Sequence, residues 1–166
     1  MVFDALYREL NPSLLRYLFR LTADEDAAAD VAQEAFVRLL RRPELRGDDA
    51  RVWLFTVATN LARDRGRTIT RRRRILEETP PTHPPPRRPD VEAERAEVIA
   101  RVRAALAELT ERERQLLLMR QEGFRYDEIA QTVGVAPGSV GTLVARALKR
   151  FGSIYREDGE DHDARQ

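Results

Sequence analysis

Residues 24–41 run DEDAAADVAQEAFVRLLR, and their apolar side chains fall in pairs: Ala27/Ala28, Val31/Ala32, Ala35/Phe36 and Leu39/Leu40. Pairs recurring every three to four residues line one side of an α-helix and no side of a strand. One continuous buried stripe is expected here. The opposite face carries Asp30, Gln33, Glu34, Val37, Arg38 and Arg41, which composition alone reads as a solvated helix surface.

The same period continues outward. Pro12 fits the first turn of a helix ending near Thr22. Beyond the loop PELRGDD (43–49), a long helix is expected from about Ala50 into a run of arginines. Leu54, Val57, Ala58 and Leu61 would face inward, with Trp53, Thr56, Asn60, Arg63 and Arg67 on a second stripe. Six of the nine prolines then fall within residues 80–89. Such a segment holds neither helix nor sheet interior and reads as a linker in polyproline-II form, residues 77–92. It separates a module at 1–76 from another at 93–153.

Four more helices are expected after the linker. The first, about 91–108, spaces Val98, Ile99, Val102, Ala105 and Leu106 helically. Thr110 and Glu113 form a capping box opening the second, which stops at Gly123. A short helix from Tyr126 to Val133 closes at Gly134, and a last one runs from Pro137 to Phe151. Its core stripe is Val140, Leu143, Val144, Ala147, Leu148 and Phe151. A short helix, a glycine turn and an amphipathic helix make a helix-turn-helix. Residues 154–166 are acidic and aperiodic, so a disordered tail is expected. The fold class is all-α, two small helical domains.

A net charge of +1 conceals strong segregation. Residues 51–76 hold eight arginines against Asp64 alone, +7, whereas residues 1–50 carry −3. A block of that kind points to a polyanion, and nucleic acid is the obvious one. Trp53, Asn60, Arg63 and Arg67 combine an aromatic, an amide and guanidinium groups on one stripe, a set suited to unstacked single-stranded bases. Arg65 and the arginines at 71–74, Arg71 and Arg72 among them, add phosphate-binding charge. On the last helix the non-core face holds Gly138, Gly141, Thr142, Ala145, Arg146 and Lys149 beside Ser139. In a helix-turn-helix this face enters the major groove.

Other classes are disfavoured. The chain has no cysteine and only two histidines, His83 and His162, far apart in sequence. Disulfides, thiolate metal sites, a hydrolytic zinc site and a Ser-His-Asp triad are therefore not expected, nor is any cofactor. The carboxylate pairs Asp48/Asp49 and Glu77/Glu78 lack a cleft-forming sheet or glycine loop, so the protein is not expected to be an enzyme. No stretch approaches the roughly 20 apolar residues of a membrane span. The charged, periodic N-terminus does not read as a signal peptide, and a reducing cytoplasm is the expected compartment.

Four segments resemble the RNA polymerase sigma factors of the compact, extracytoplasmic-function type. Asp30-Val31-Ala32-Gln33-Glu34-Ala35-Phe36 is similar to that family's D-[VL]-x-Q-E-x-F. Val52-Trp53-Leu54-Phe55-Thr56-Val57-Ala58-Thr59-Asn60 resembles its W-L-[YF]-x-[IV]-A-x-N helix. Residues 106–118 (LAELTERERQLLL) and 126–147 resemble the entry to its second domain and its helix-turn-helix. The resemblance implies core RNA polymerase and promoter DNA as partners, an anti-sigma factor as a further candidate, and a monomer when free. It implies polymerase contact by Asp30, Gln33, Glu34, Val37, Arg38 and Arg41. It further implies that Asn60 and the loop with Leu45, Arg46, Gly47 and Asp48 form a pocket for a flipped minus-ten base, and that residues 126–146 read the minus-thirty-five element. In the family basic residues usually stand where Gly141 and Leu143 are found here, and serines where Arg125 and Ala136 are. An autonomous helix-turn-helix regulator is the rival reading; it accounts for residues 106–152 and leaves the 24–67 motifs without a role.

Overall fold

The computed structural model describes residues 2–76 and 91–163, with side chains for 3–66 and 93–157. The first module is α1 (Val2–Thr22), α2 (Glu25–Leu39) and α3 (Gly47–Leu76). The second is α4 (Val91–Glu108), α5 (Glu111–Gln121), α6 (Tyr126–Val133), a 3₁₀ turn (Pro137–Ser139) and α7 (Val140–Asp163). The architecture is all-α among the described residues, as expected. The linker lies outside them, apart from its last two residues, which open α4.

α2 forms where the paired stripe predicts it. Asp24 caps it, its carboxylate accepting from Ala27 N at 3.0 Å, and Ala28, Val31, Ala32, Ala35, Phe36 and Leu39 are buried. Leu40 departs from the expected stripe. The helix ends at Leu39, and Leu40 is turned outward, 55% exposed. Pro12 also departs, lying inside α1 rather than in its first turn. Proline removes one ladder bond there; Ser13 Oγ donates to the Leu10 carbonyl at 3.0 Å, and the burial of Leu10, Leu14, Tyr17 and Leu18 holds both halves in line.

α3 begins three residues before Ala50, at Gly47, whose φ of +48° suits glycine. Asp48 and Asp49 in its first turn favour the helix dipole. Its buried set is wider than the four residues expected. Leu54, Phe55, Ala58 and Thr59 are all fully buried, while Val57 and Leu61 are only partly so. α3 is covered on two sides, by α1 and α2 and by α6. Tyr17 hydroxyl and Thr59 Oγ1 lie 2.8 Å apart in this core, and burial pushes the phenol's pKa up.

The second module keeps its expected punctuation. Thr110 Oγ1 accepts from Glu113 N, and the Glu113 carboxylate accepts from Thr110 N at 2.9 Å. Gly134 closes α6 at φ +76°. Two expectations fail. α7 does not give way to a disordered tail after Phe151 but stays helical to Asp163. Phe151 stacks on Tyr155, and Arg101 of α4 lies over the Tyr155 ring and donates to its carbonyl, so tertiary contacts hold the helix past Phe151 as far as Tyr155. Leu148, placed in the core stripe, is 46% exposed, as are Val98 (48%) and Ile99 (42%). These three line a groove of about 900 Å³ between α1, α4, α5 and α7 instead of packing closed.

The modules are packed together. At the centre of the seam the Phe55 and Phe124 rings meet edge to face, centroids 4.7 Å apart. Two arginines cap helices across it. Arg51 of α3 donates to the Glu122 carbonyl at the end of α5, and Arg114 of α5 donates to the Leu21 carbonyl at the end of α1 at 3.1 Å. Each sets a cation at a helix C-terminus, where the dipole favours it.

Candidate nucleic-acid interface

The outer face of α2 is open. Asp30, Gln33, Val37, Arg38 and Arg41 are exposed and Glu34 is half-buried. Arg38 donates to Glu34 at 2.8 Å one helical turn back, and Arg65 of α3 reaches Asp30 at 3.3 Å. Beside this face Tyr7, Val37 and Leu40 border an apolar groove of about 390 Å³ between α1 and α2. Tyr7 and Leu40 are additions that sequence reasoning missed. Tyr7 belongs to another helix, and no period within α2 could bring it there.

The stripe expected on α3 is divided by the fold. Asn60 is exposed. Trp53 is half-buried, with the Arg42 guanidinium 5.4 Å from its ring centroid. Thr56 and Arg63 are instead turned into the seam. Thr56 Oγ1 lies 2.8 Å from Thr132 Oγ1. Arg63 donates to Glu111 at 3.2 Å and to the buried Gln115 at 3.1 Å. Arg65 is exposed and shared with Asp30. Arg67, Arg71 and Arg72 lie on α3, their side chains outside the described residues.

Helix geometry sets the spacing between the 43–49 loop and Asn60. Leu45 is half-buried and Arg46, Gly47 and Asp48 are exposed at the start of α3. Asn60 is 13 residues further along the same helix, about 20 Å at 1.5 Å per residue. The loop at the start of α3 and Asn60 are therefore well separated along the helix axis. At the loop the Arg42 guanidinium lies over the Trp53 ring, whereas Asn60 is exposed. Spacing in sequence could have shown this, because 13 residues of unbroken helix have a fixed length.

On the second module the reading face is open. Gly138, Ser139, Thr142, Ala145, Arg146 and Lys149 are all exposed. Gly141 is not fully so: a Cβ built there would sit 3.4 Å from Tyr126 Cε2. The Tyr126 ring of α6 thus borders this part of the face, within van der Waals reach of any side chain that replaced Gly141. Arg125 stands at the N-cap of α6 with no side-chain cap bond, its guanidinium held by Asp127 at 3.3 Å, and its own N–H donates to Glu128 at 2.7 Å. Ala136 likewise gives the 3₁₀ turn no side-chain cap.

The electrostatics follow the caps. Burial raises the Glu113 carboxyl, but hydrogen bonds from Thr110 and the nearby Arg150 outweigh it and leave Glu113 below the usual range. The pairing with Glu122 raises Arg16. No cluster of three or more metal-ligating side chains occurs among the described residues, and no helix there is long and apolar enough to cross a membrane.

Comparison with known proteins assigns the family. Residues 6–74 match the family described as Sigma-70 region 2, and residues 99–151 match Sigma-70, region 4. The ECF RNA polymerase sigma factor SigL of Mycobacterium tuberculosis is 33% identical over 159 residues, covering 93% of this chain and 89% of its own. The ECF sigma factor EcfG of Rhodopseudomonas palustris is 29% identical, covering 90% and 83%. Among solved structures, the sigma factor RpoE in complex with the anti-sigma factor NepR from Bartonella quintana shares the fold. Its TM-score is 0.72 at 21% identity, over 93% of this chain and 96% of that one. CnrH in complex with the cytosolic domain of CnrY gives 0.70 at 23% identity, over 94% and 88%. The chain belongs to the extracytoplasmic-function RNA polymerase sigma factors, non-enzymatic subunits that direct core polymerase to promoters for transcription initiation.

Proposed function

We propose that the three surfaces divide the work of a sigma factor as follows. The outer face of α2, from Asp30 to Arg41 with Tyr7 and Leu40 beside it, docks on core polymerase. The α3 stripe takes the minus-ten strand, with Trp53 and the 42–48 loop holding one base and Asn60 another further along. The exposed face of α7, with Arg146 foremost, reads the minus-thirty-five duplex. Gly138 and Ala145 cannot hydrogen-bond through side chains, and Thr142 offers only a hydroxyl and a methyl, so the helix approaches closely and reads much by shape. The protein works in the cytoplasm, as a monomer when free, on a stress- or envelope-response regulon. An anti-sigma factor is its regulatory partner, by analogy with the complexes of RpoE and CnrH.

The observation carrying the minus-ten assignment is the exposed amide of Asn60 on a helix otherwise buried on two sides. An amide offers donor and acceptor together, which a base edge can use and solvent does not require. Run-off transcription with core polymerase on promoters varied at each minus-ten position tests it. Asn60→Ala is expected to lose discrimination at one position while keeping polymerase binding. Unchanged selectivity would make Asn60 a surface residue only.

A further inference from the structure

The groove between α1, α4, α5 and α7 has a volume of about 900 Å³, within the size range of small-molecule sites, which favour such domain junctions. Phe19, Leu106 and Phe151 line it together with Val98, Ile99 and Leu148, the last three exposed. An apolar patch of this kind, rimmed by charge, marks a surface where something binds.

The charge on the groove has one sign. Arg16, Arg20, Arg103, Arg114 and Arg120 line it, and among the described residues no carboxylate does, although the chain holds 28 acidic residues against 29 basic. Three of the five are engaged. Glu122 accepts from Arg16 Nε and Nη2 at 3.1 and 2.8 Å. Arg114 donates to the Leu21 and Leu109 carbonyls, and the Arg103 guanidinium lies 4.7 Å from the Phe19 ring centroid. Arg20 and Arg120 are exposed on the groove, and they set the place of a bound anion.

Guanidinium groups donate and never accept. Among the described residues Gln121 is the one other hydrogen-bonding side chain on the lining. A peptide segment brings donors as well as acceptors along its polar edge, and this lining answers almost only the acceptors. A bilayer surface is too broad to enter a groove. An acceptor-only head on a saturated tail matches both the arginines and the apolar floor, and a planar carboxylate fits the guanidinium fork.

We propose that the groove binds one long-chain carboxylate, a free fatty acid, with its tail over Phe19, Leu106 and Phe151 and its head group on Arg20 and Arg120. The occupant is a single chain taken from solution, not a lipid in its bilayer.

Isothermal titration of the full chain with sodium carboxylates from octanoate to tetradecanoate, each as the monomer, reads the site. One molecule should bind per chain, and affinity should rise about fourfold for each added methylene until the groove is filled, the weight of one buried CH₂. Saturating dodecanoate should raise the melting temperature. Arg20→Ala and Arg120→Ala should each weaken dodecanoate about tenfold, the scale of one hydrogen bond to a charged group. Leu148→Glu, a change at an exposed side chain, should abolish binding, and circular dichroism checks that each variant keeps its helix content. Dodecyltrimethylammonium should not bind.

Equal uptake of the cationic and anionic chains, or a lowered melting temperature without saturation, is detergent action and overturns the site. Unchanged affinity in the three variants overturns it as well. Binding to phosphatidylglycerol vesicles without binding of free dodecanoate overturns it in favour of a membrane surface. A wild-type dimer in sedimentation equilibrium that Leu148→Glu disperses overturns it in favour of a second copy of the chain. No binding of any carboxylate leaves the groove to a protein partner and overturns the proposal. None of these results bears on the three surfaces assigned to transcription.

Discussion

The two helices assigned to DNA, α3 and α7, carry similar chemistry in opposite settings. α3 is covered on two sides, and two members of its stripe, Thr56 and Arg63, are spent on α6 and α5. α7 packs by one stripe, Val140, Val144 and Ala147, and leaves Thr142, Ala145, Arg146 and Lys149 in solvent. A helix that reads an intact duplex can stay docked on its own module and offer the free side. On α3 the polar groups Thr56 and Arg63 find partners on the other module, so they are satisfied without water. The difference is one of how much each face loses by waiting in water.

The sharpest way to break this comparison is Phe55→Ala. Phe55 is fully buried between Tyr17 and Phe124, so its truncation should cost about 3–5 kcal/mol. Urea denaturation followed by far-ultraviolet circular dichroism measures it, and a loss under 1 kcal/mol would mean α3 is not clamped from two sides. A smaller effect is expected on the open helix. Arg146→Ala should weaken binding to a minus-thirty-five duplex, in complex with core polymerase, by about 1–3 kcal/mol. It should leave the denaturation midpoint unchanged. Lys149→Ala should weaken binding less, and equal losses would rotate the reading face.

The caps sharpen the comparison at lower energy. Thr110→Ala removes the cap of α5, the helix that covers Arg63, and should cost about 1 kcal/mol. Its pH dependence has a fixed sign. The Glu113 carboxyl lies below its unfolded value of 4.5, so its contribution is whole above that pH and is lost as pH falls through the folded value. Thermal melts from neutral pH down into the acid range should show wild type losing stability below about 4.5, with a shallower loss in Thr110→Ala. The smallest effect is a gain. Ala136 has extended backbone, φ −65° and ψ 137°, and no side-chain cap. Ala136→Ser should add about 0.5–1 kcal/mol, seen as a raised melting temperature without change in duplex affinity. No gain would mean the turn before α7 does not need the missing hydroxyl.

The helices, the cap at Thr110, the glycine at Gly134 and the four family segments are all legible in the residues, because each depends on neighbours within a turn or two. Legible too were the exposed faces of α2 and α7. The failures share a different origin. Leu40, Leu148 and the helix beyond Phe151 depart from the local pattern because a contact from another element, or the want of one, decides them. Tyr7 joined the α2 surface unannounced for the same cause.

Helical class, two modules, family and the residues able to meet nucleic acid thus follow from local pattern and motif, where spacing along the chain suffices. Which of those residues are free does not. Arg63 and Asn60 lie three residues apart on one helix with like promise in the sequence, yet one is bound to Glu111 and Gln115 and the other faces solvent. The partners of Arg63 are 48 and 52 residues away. Burial depends on what packs across such distances, and a helical period carries no record of it.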